Sequence, residues 1–192
     1  MIKLYGLMAT LLSSVILMAA PQTTDNLRDE QREQPPSAHL HGVAQLTVAL
    51  EGDALNIGFL APAINTLGFE GKASSDGQIA TIEKVTQSLR SSDLFLFSGS
   101  DCQLKQVDID MPPIGKQGLY QEHEHSHATH TNHSEVGANY SYDCSKGKEL
   151  VAISVRLISL FPSIEILEAM WLTDSQQGAI DLTEPTGIIP IR

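Results

Sequence analysis

The sequence predicts an α+β domain of mostly antiparallel strands, with one main amphipathic helix at about 76–90 and a long histidine-rich inserted loop. Apolar and polar residues alternate over 39–50, a turn follows at 51–53, and a second strand starts at 54, which together indicate a β-hairpin. Apolar side chains then recur at helical spacing over 76–90. A single helix among hairpin-linked strands is typical of an α+β domain.

Local patterns predict the other elements in chain order. Pro62 and Gly68 bound a loop, and Ser75 stands three residues before Gln78, which is the capping-box spacing at the start of a helix. The stretch 164–172 fits either a strand or a helix. Further extended segments are expected at 94–97, 103–109, 139–143, 150–160 and 179–182, with a break at 161–163.

The first twenty residues have the layout of a secretory signal peptide. Lys3 gives a weakly positive start, and the apolar run over 7–20 is too short to span a bilayer comfortably. Residues 21–37 are rich in Gln, Asp, Glu and Pro, which predicts a disordered lead-in. The sequence therefore predicts one exported domain over 38–192, with a histidine-rich loop at 115–137.

The charge balance narrows the classes of partner. The chain has 12 basic and 23 acidic side chains, so its formal charge is −11, and without Lys3 it is −12 because 11 basic groups remain. An acidic surface attracts cations and repels nucleic acid and anionic lipid. Aromatic residues are only 5% of the chain and there is no basic stripe. We therefore expect no nucleic-acid binding and no membrane insertion of the mature domain.

Cys102 and Cys144 are the only two cysteines. In an exported protein an even pair favours a disulfide, and two separate buried thiols are the alternative. A bridge would close around the whole histidine-rich tract. It would stabilise the fold by about 3–4 kcal/mol by restricting the unfolded chain.

Five of the seven histidines lie within 123–133. The stretch 123–127 matches the His-Glu-x-x-His pattern of zinc peptidases, which needs two histidines one helical turn apart and Glu124 as general base. Such a helix needs an apolar face, and Ala128 is the only apolar residue within 121–134. We therefore treat the peptidase match as accidental.

Metal capture fits this tract better. Imidazole nitrogens suit Zn²⁺, Cu²⁺ and Ni²⁺, and alternating histidines on an extended chain point to one side. Ordering a loop on binding costs free energy, so the tract alone is expected to act as a scavenger or buffer. A solvated loop without a metal role is the alternative. The candidate ligands in the tract are His123, His125, His127, His130 and His133.

A second histidine pair, His39 and His41, precedes the first strand. Residues two apart on a strand project from the same face, so both rings can reach one ion. His133 and Glu135 have the same spacing before the strand predicted at 139–143. Zinc sites usually take three or four ligands. If that strand neighbours the first, we expect the two pairs to share one ion.

The order of several short motifs resembles the ZrgA family of exported zinc-binding proteins, which is linked to zinc uptake in Gram-negative bacteria. The likeness covers nearly all of the mature chain. It is carried by His39-x-His41-Gly42-x-Ala44-x-Leu46-x-Val48, Gly52, Leu55, Pro62-x-x-Asn65-x-x-Gly68-Phe69-Glu70, Cys102-x-Leu104, the histidine-rich insert, His133-Ser134-Glu135, Tyr140-x-Tyr142-x-Cys144, Phe161-Pro162-Ser163-Ile164-Glu165 and Gln177-Gly178-Ala179-x-x-Leu182.

The resemblance implies a periplasmic protein that binds Zn²⁺ and supports its uptake without catalysis. It carries metal-ligand roles onto His39, His41 and the insert, and leaves Glu70 a weak candidate, because Gly71 stands where the family often has His. We expect the protein either to hand zinc to a membrane transporter or to buffer it.

Two other functions compete with zinc binding as interpretations of the sequence. A Cu²⁺ or Ni²⁺ protein is one alternative, since the order of metal affinities alone favours Cu²⁺ over Zn²⁺. A metal-dependent hydrolase is disfavoured, because the sequence offers no ordered catalytic Glu, nucleophile elbow or phosphate loop.

Overall fold

The computed structural model describes residues 40–114 and 134–192. All of them belong to a unit that runs from Ser37 to Arg192. The other unit, Met1–Pro36, lies outside the described residues, and so do the predicted leader and lead-in. Within the described ranges, no helix is long and apolar enough to cross a membrane.

Strands dominate the described part of the chain. They are β1 (Val43–Glu51), β2 (Ala54–Pro62), β3 (Phe95–Ser98), β4 (Cys102–Asp110), β5 (Glu135–Cys144), β6 (Ala152–Val155), β7 (Ile166–Thr173), β8 (Gln177–Leu182) and β9 (Gly187–Pro190). The helices are α1 (Ala63–Leu67), α2 (Asp76–Leu89) and α3 (Leu157–Leu160), with a 3₁₀ turn at Gly147–Glu149.

Two sheets form from these strands. The larger has six strands in the order β4-β5-β2-β1-β7-β8, and the smaller has the order β3-β6-β9. Every pairing is antiparallel except that of β1 with β7. The antiparallel character expected from the sequence is confirmed. The balance of elements is more β-rich than the predicted α+β class, and α2 is the only described helix longer than five residues. The predicted histidine-rich loop falls largely on residues 115–133, outside the described ranges.

The β1–β2 hairpin forms as its pattern predicts. Glu51 pairs with Ala54 across a two-residue turn in which Gly52 has a positive φ of 58°. That conformation favours glycine, because a side chain at φ > 0 crowds the backbone. Every second residue of β1 is buried, so one face of the hairpin meets the core and the other is exposed.

The main helix also follows its sequence signals. The Ser75 hydroxyl accepts a hydrogen bond from the Gln78 amide at 3.3 Å, and the Gln78 side chain accepts one from the Ser75 amide at 3.2 Å. This is the reciprocal capping box that the Ser-x-x-Gln spacing predicts. The helix buries Ile82, Val85 and Leu89.

Two predicted segments differ in the structure, and a third, which the sequence left open, is a strand. The loop expected at 62–68 contains the short helix α1. The strand expected over 150–160 is only β6, and α3 follows it, because Leu157 and Ile158 are both buried. Consecutive burial suits a helical turn rather than the period of two in a strand. The ambiguous stretch 164–172 is a strand, β7, which runs parallel to β1.

The core lies on one face of the larger sheet. Apolar side chains from its inward positions pack against α2 and the smaller sheet. Burying each such aliphatic or aromatic side chain contributes about 1.5–3 kcal/mol. The largest fully buried side chains are Tyr140, Phe95, Leu46, Leu55, Ile57, Leu89, Leu150, Ile153, Leu157, Ile164, Leu167 and Ile189.

A disulfide joins Cys102 and Cys144, which confirms the predicted pairing. The two residues are directly opposite each other, at the start of β4 and the end of β5. Between β4 and β5 the chain carries the histidine-rich stretch. The bridge therefore closes the end of this strand pair that is farthest from the insert.

Candidate metal site

Of the predicted metal ligands, only His41 and Glu135 fall within the described residues. The others lie outside them. They are His39, His123, His125, His127, His130 and His133. The structure therefore describes the chain next to the histidine-bearing stretches, which begins at residue 40 on one side and at residue 134 on the other.

His41 lies in a turn, not on a strand as the alternating pattern predicted. The Val43 amide bonds to the Leu40 carbonyl at 3.1 Å, and Gly42 has a φ of 85°. This left-handed residue turns the chain, so β1 begins only at Val43. The argument that His39 and His41 share a strand face therefore does not hold at His41, whose side chain is exposed.

The relation between β1 and β5 also differs from the expected one. β5 begins at Glu135 rather than near 139, so residues 135–137, predicted as loop, belong to the strand. β5 pairs with β2 and β4 and does not neighbour β1. The prediction that the two histidine pairs share one ion required β1 and β5 to be neighbours. In the structure β2 lies between them.

The starts of the two strands nevertheless lie at one edge of the sheet. β2 pairs antiparallel with both β1 and β5, and Leu60 of β2 is the partner of Gln45 and of Gly137. β1 and β5 therefore run in the same direction, two strand spacings apart, which is roughly 10 Å. His41 precedes one strand start and Glu135 forms the other.

Asn65 of α1 holds the chain beside His41. Its side-chain oxygen accepts a hydrogen bond from the Gly42 amide at 3.1 Å, and its side-chain nitrogen donates to the Val43 carbonyl at 3.0 Å. Asn65 is buried, with 5% of its surface exposed. Both of its polar groups have partners, as burial requires.

Glu70 holds the chain beside Glu135. One oxygen of the Glu70 carboxylate accepts from the Ser134 amide at 2.9 Å, and the other accepts from the Ile64 amide at 3.3 Å in the first turn of α1. The family resemblance leaves Glu70 only a weak candidate ligand. Its contacts instead give it a role at the point where the chain returns from the insert, and they occupy both oxygens with backbone donors.

The residues after Glu70 contact both ends of the insert. The Gly71 amide donates to the Ser134 hydroxyl at 2.9 Å. The Ala73 amide donates to the Pro113 carbonyl at 3.1 Å, and Ala73 also forms a parallel bridge with Ile114. The described chain on either side of 115–133 is thus fixed to residues 70–73.

Glu165 is a further carboxylate at this edge that the sequence did not single out as a ligand. Its amide donates to the Gly42 carbonyl at 2.7 Å. A Cβ added to Gly42 would lie 3.2 Å from the carboxylate carbon of Glu165, so that carboxylate lies against the backbone next to His41. Glu165 is remote from His41 in sequence, and only the parallel pairing of β1 with β7 brings it here.

The donor atoms at this edge suit a divalent cation. Imidazole nitrogen and carboxylate oxygen are both common zinc ligands. Within 40–114 and 134–192, no group of three or more His, Cys, Asp or Glu side chains is close enough to hold a metal ion. A three- or four-ligand site here would take further ligands from the histidine-bearing stretches that adjoin these strand starts.

A polar groove of about 410 Å³ lies elsewhere, between the end of α2 and α3. Asp93 and Arg156 line it and form an ion pair at 2.7 Å. A hydrogen bond from the Ser91 hydroxyl, reinforced by the Arg156 charge, lowers the pKa of Asp93 below its usual value. The described residues that line this groove include neither His nor Cys, so it offers no soft or borderline metal ligand.

A comparison with protein-family models gives a match over most of the chain. None of the curated proteins compared with the chain matches it. A family model described as ZrgA family zinc uptake protein matches residues 38–191, which include every described residue except Arg192. This chain therefore belongs to the ZrgA family of zinc uptake proteins.

Proposed function

We propose that this protein binds Zn²⁺ in the periplasm and captures or buffers it in support of zinc uptake, without catalysing a reaction. Membership of a zinc uptake family supports the metal and the transport context. The disulfide supports an oxidising compartment, because such bridges persist in exported proteins and are rare in the cytosol.

One structural observation carries the proposal. Two histidine-bearing stretches, one before β1 and one before β5, lead into the larger sheet at the same edge, about two strand spacings apart. Zinc needs three or four ligands, and a single strand start offers too few. Ligands from two such starts can surround one ion. Because the sheet already holds the two starts in place, less conformational entropy is lost when the ion binds.

We propose a division of labour between the two histidine groups. His39 and His41, with His133 and Glu135, form a tight site at the sheet edge. His123, His125, His127 and His130 form a weaker collecting group, whose affinity is reduced by the entropy lost when a loop is ordered. Zinc captured by the second group passes to the first, and from there to a membrane transporter, or it is retained as a buffer.

Native mass spectrometry of the purified protein with Zn²⁺ tests this division. We expect the wild type to bind one tight ion and several weak ones, and His39→Ala/His41→Ala to lose the tight ion. A variant with asparagine at the histidines of the collecting group should keep the tight ion and lose the weak ones. Failure of the wild type to retain zinc against a modest competing chelator at neutral pH would overturn the proposal.

A charge control separates ligation from general attraction of cations to an acidic protein. Glu168 and Asp181 are cross-strand partners on β7 and β8 and are both exposed. Glu168→Gln/Asp181→Gln removes two negative charges and no histidine. Its zinc count and affinity should match those of the wild type. Parallel titration with Cu²⁺ and Ni²⁺ tests the alternative metals.

A further inference from the structure

The chain from Asn65 in α1 to Ala73, shortly before α2, contacts three separate parts of the chain at the sheet edge. We define residues 65–73 as the anchoring segment. It reaches the turn before β1 through Asn65, the start of β5 through Glu70 and Gly71, and the chain after β4 through Ala73. These are the places where the described chain borders the histidine-bearing stretches.

Asn65 binds the backbone at the point where the chain turns into β1. The side-chain oxygen and nitrogen bond at 3.1 Å and 3.0 Å to consecutive residues, Gly42 and Val43. A residue needed only to fill space here would be apolar, since a buried amide without partners is destabilising. Two directional bonds at the point where the chain turns into β1 fix the direction from which His41 arrives.

Glu70 likewise binds the backbone, in this case at the start of β5. A carboxylate shared between the Ser134 and Ile64 amides ties β5 to the first turn of α1. The Ala63 amide adds a bond of 2.7 Å to the Ser134 carbonyl. Hydrogen bonds to a charged acceptor are stronger than neutral ones, so this end of the insert is held firmly.

We propose that Asn65 and Glu70 are positioning residues for zinc binding, which hold the backbone beside His41 and Glu135 at a fixed separation at the sheet edge. The proposal rests on the proposed zinc-binding function and adds to it which residues preorganise the site. Neither residue is a ligand in this scheme. Both act through the main chain of Gly42 and Ser134.

The test combines a zinc measurement with a measurement that needs no zinc. Hydrogen exchange on the metal-free protein measures how strongly the amides of Gly42, Ile64 and Ser134 are protected from solvent. Competition with a chromogenic chelator reports the dissociation constant of the tight zinc ion. We expect Glu70→Ala to expose the Ile64 and Ser134 amides and to weaken the tight ion about tenfold, the lower range for groups that orient metal ligands.

A graded series separates positioning from direct ligation. Glu70→Gln retains one acceptor oxygen and should weaken zinc binding less than Glu70→Ala does. Asn65→Ala should expose the Gly42 amide and weaken zinc binding similarly to Glu70→Ala. If Glu70 were itself a ligand, Glu70→Gln and Glu70→Ala would weaken zinc binding equally while the Ser134 amide of Glu70→Gln stayed protected.

Two controls address charge and stability. Glu83→Gln removes an exposed carboxylate from α2 and should leave zinc affinity unchanged. Ile153→Val removes a buried methyl group from β6 and should lower the unfolding temperature without changing zinc affinity. Should Glu70→Ala not fold, Glu70→Gln and Asn65→Ala carry the test, and both should still weaken zinc binding measurably.

The possible outcomes are distinct. Exposed amides together with wild-type zinc affinity in Glu70→Ala and Asn65→Ala would overturn the positioning role and leave the proposed function intact. A wild type with protected amides and no retained zinc would overturn the proposed function itself, and the positioning role with it.

Discussion

Tyr140 and Tyr142 occupy consecutive inward positions of β5. Their side chains connect the larger sheet to α2 and to the smaller sheet. The Tyr140 hydroxyl donates to the Leu89 carbonyl at 2.8 Å, at the end of α2. Its ring and that of Tyr142 both meet Phe95 edge to face. Burial raises the pKa of both phenols, that of Tyr142 to about 12.

These phenols predict a loss of stability at alkaline pH. In the unfolded chain a tyrosine ionises near pH 10. In the folded protein both remain protonated at that pH, so the folded state binds more protons and the free energy of unfolding falls as pH rises. The stabilisation is complete below about pH 10 and is lost progressively toward about pH 12.

Urea unfolding between about pH 8 and pH 12 measures this dependence. The midpoint should be constant up to about pH 10 and then fall. The double variant Tyr140→Phe/Tyr142→Phe is the control, since it lacks both phenols and should show a shallower fall. An equally steep fall in the variant would assign the alkaline transition to other groups.

The candidate site shows which single residues a sequence can identify. Histidine spacing is a local signal, and from it His41 and Glu135 are predicted as ligands, which stays a prediction. Asn65 and Glu165 were not assigned roles, because their importance comes from contacts with Gly42, which is 23 and 123 positions away. Sequence patterns do not reveal which distant backbone amide a polar side chain will meet.

At the scale of elements, local signals were sufficient wherever the element depends on its own residues. The β1–β2 hairpin and the capping box of α2 follow from turn and cap chemistry. The start of β1, the helix α3 and the extent of β5 depend on tertiary contacts such as that of Asn65, and were predicted wrongly. The strand β9 (Gly187–Pro190) was not predicted and adds to the strand content.

The β4–β5 pair predicts a large effect of the disulfide. Cys102 and Cys144 are 42 positions apart, and for a closed loop of that size the chain-entropy relation gives about 4 kcal/mol. Cys102→Ala/Cys144→Ala should therefore lower the free energy of unfolding by about this amount in urea. Wild type unfolded under reducing conditions is the matched control and should agree with the double variant.

The same variant tests whether the two ends of β4–β5 are independent. The bridge lies at the end of the pair opposite the insert, and the anchoring segment holds the insert end. In folded Cys102→Ala/Cys144→Ala the tight zinc ion should keep its affinity. A large loss of affinity without unfolding would mean that the bridge also shapes the metal site.

At the scale of the whole molecule, one edge of the larger sheet gathers the starts of β1 and β5. The end of β4 lies there too, because β4 pairs antiparallel with β5. The sequence predicted the hairpin and the disulfide, but not the order of the six strands. Strand order depends on the parallel pairing of β1 with β7, which joins residues more than 120 positions apart, such as Val43 and Ile166.

This arrangement predicts that the insert can be shortened without loss of the fold. Replacing residues 116–132 with a Gly-Ser linker of about eight residues, which spans up to about 26 Å, should leave the far-UV circular dichroism unchanged and the unfolding temperature nearly so. The reason is that Pro113 and Ser134 stay bonded to the anchoring segment, and loop length changes closure entropy by only about 0.6 kcal/mol per doubling.

A Gly-Ser stretch of the natural length is the control that separates length from composition. Both variants should lose the weak zinc ions together. Unfolding of the short variant alone would show that the native length is needed to span the gap between Pro113 and Ser134.

The disulfide at one end of β4–β5 and the anchoring segment at the other have an evolutionary consequence. Because the β4–β5 pair is held at both ends, its folding depends little on the sequence that connects the two strands. Because each end of the pair is held by its own contacts, we expect the stretch between the strands to tolerate changes in length and composition. The same independence makes this position a suitable acceptor for grafted peptides of other specificity.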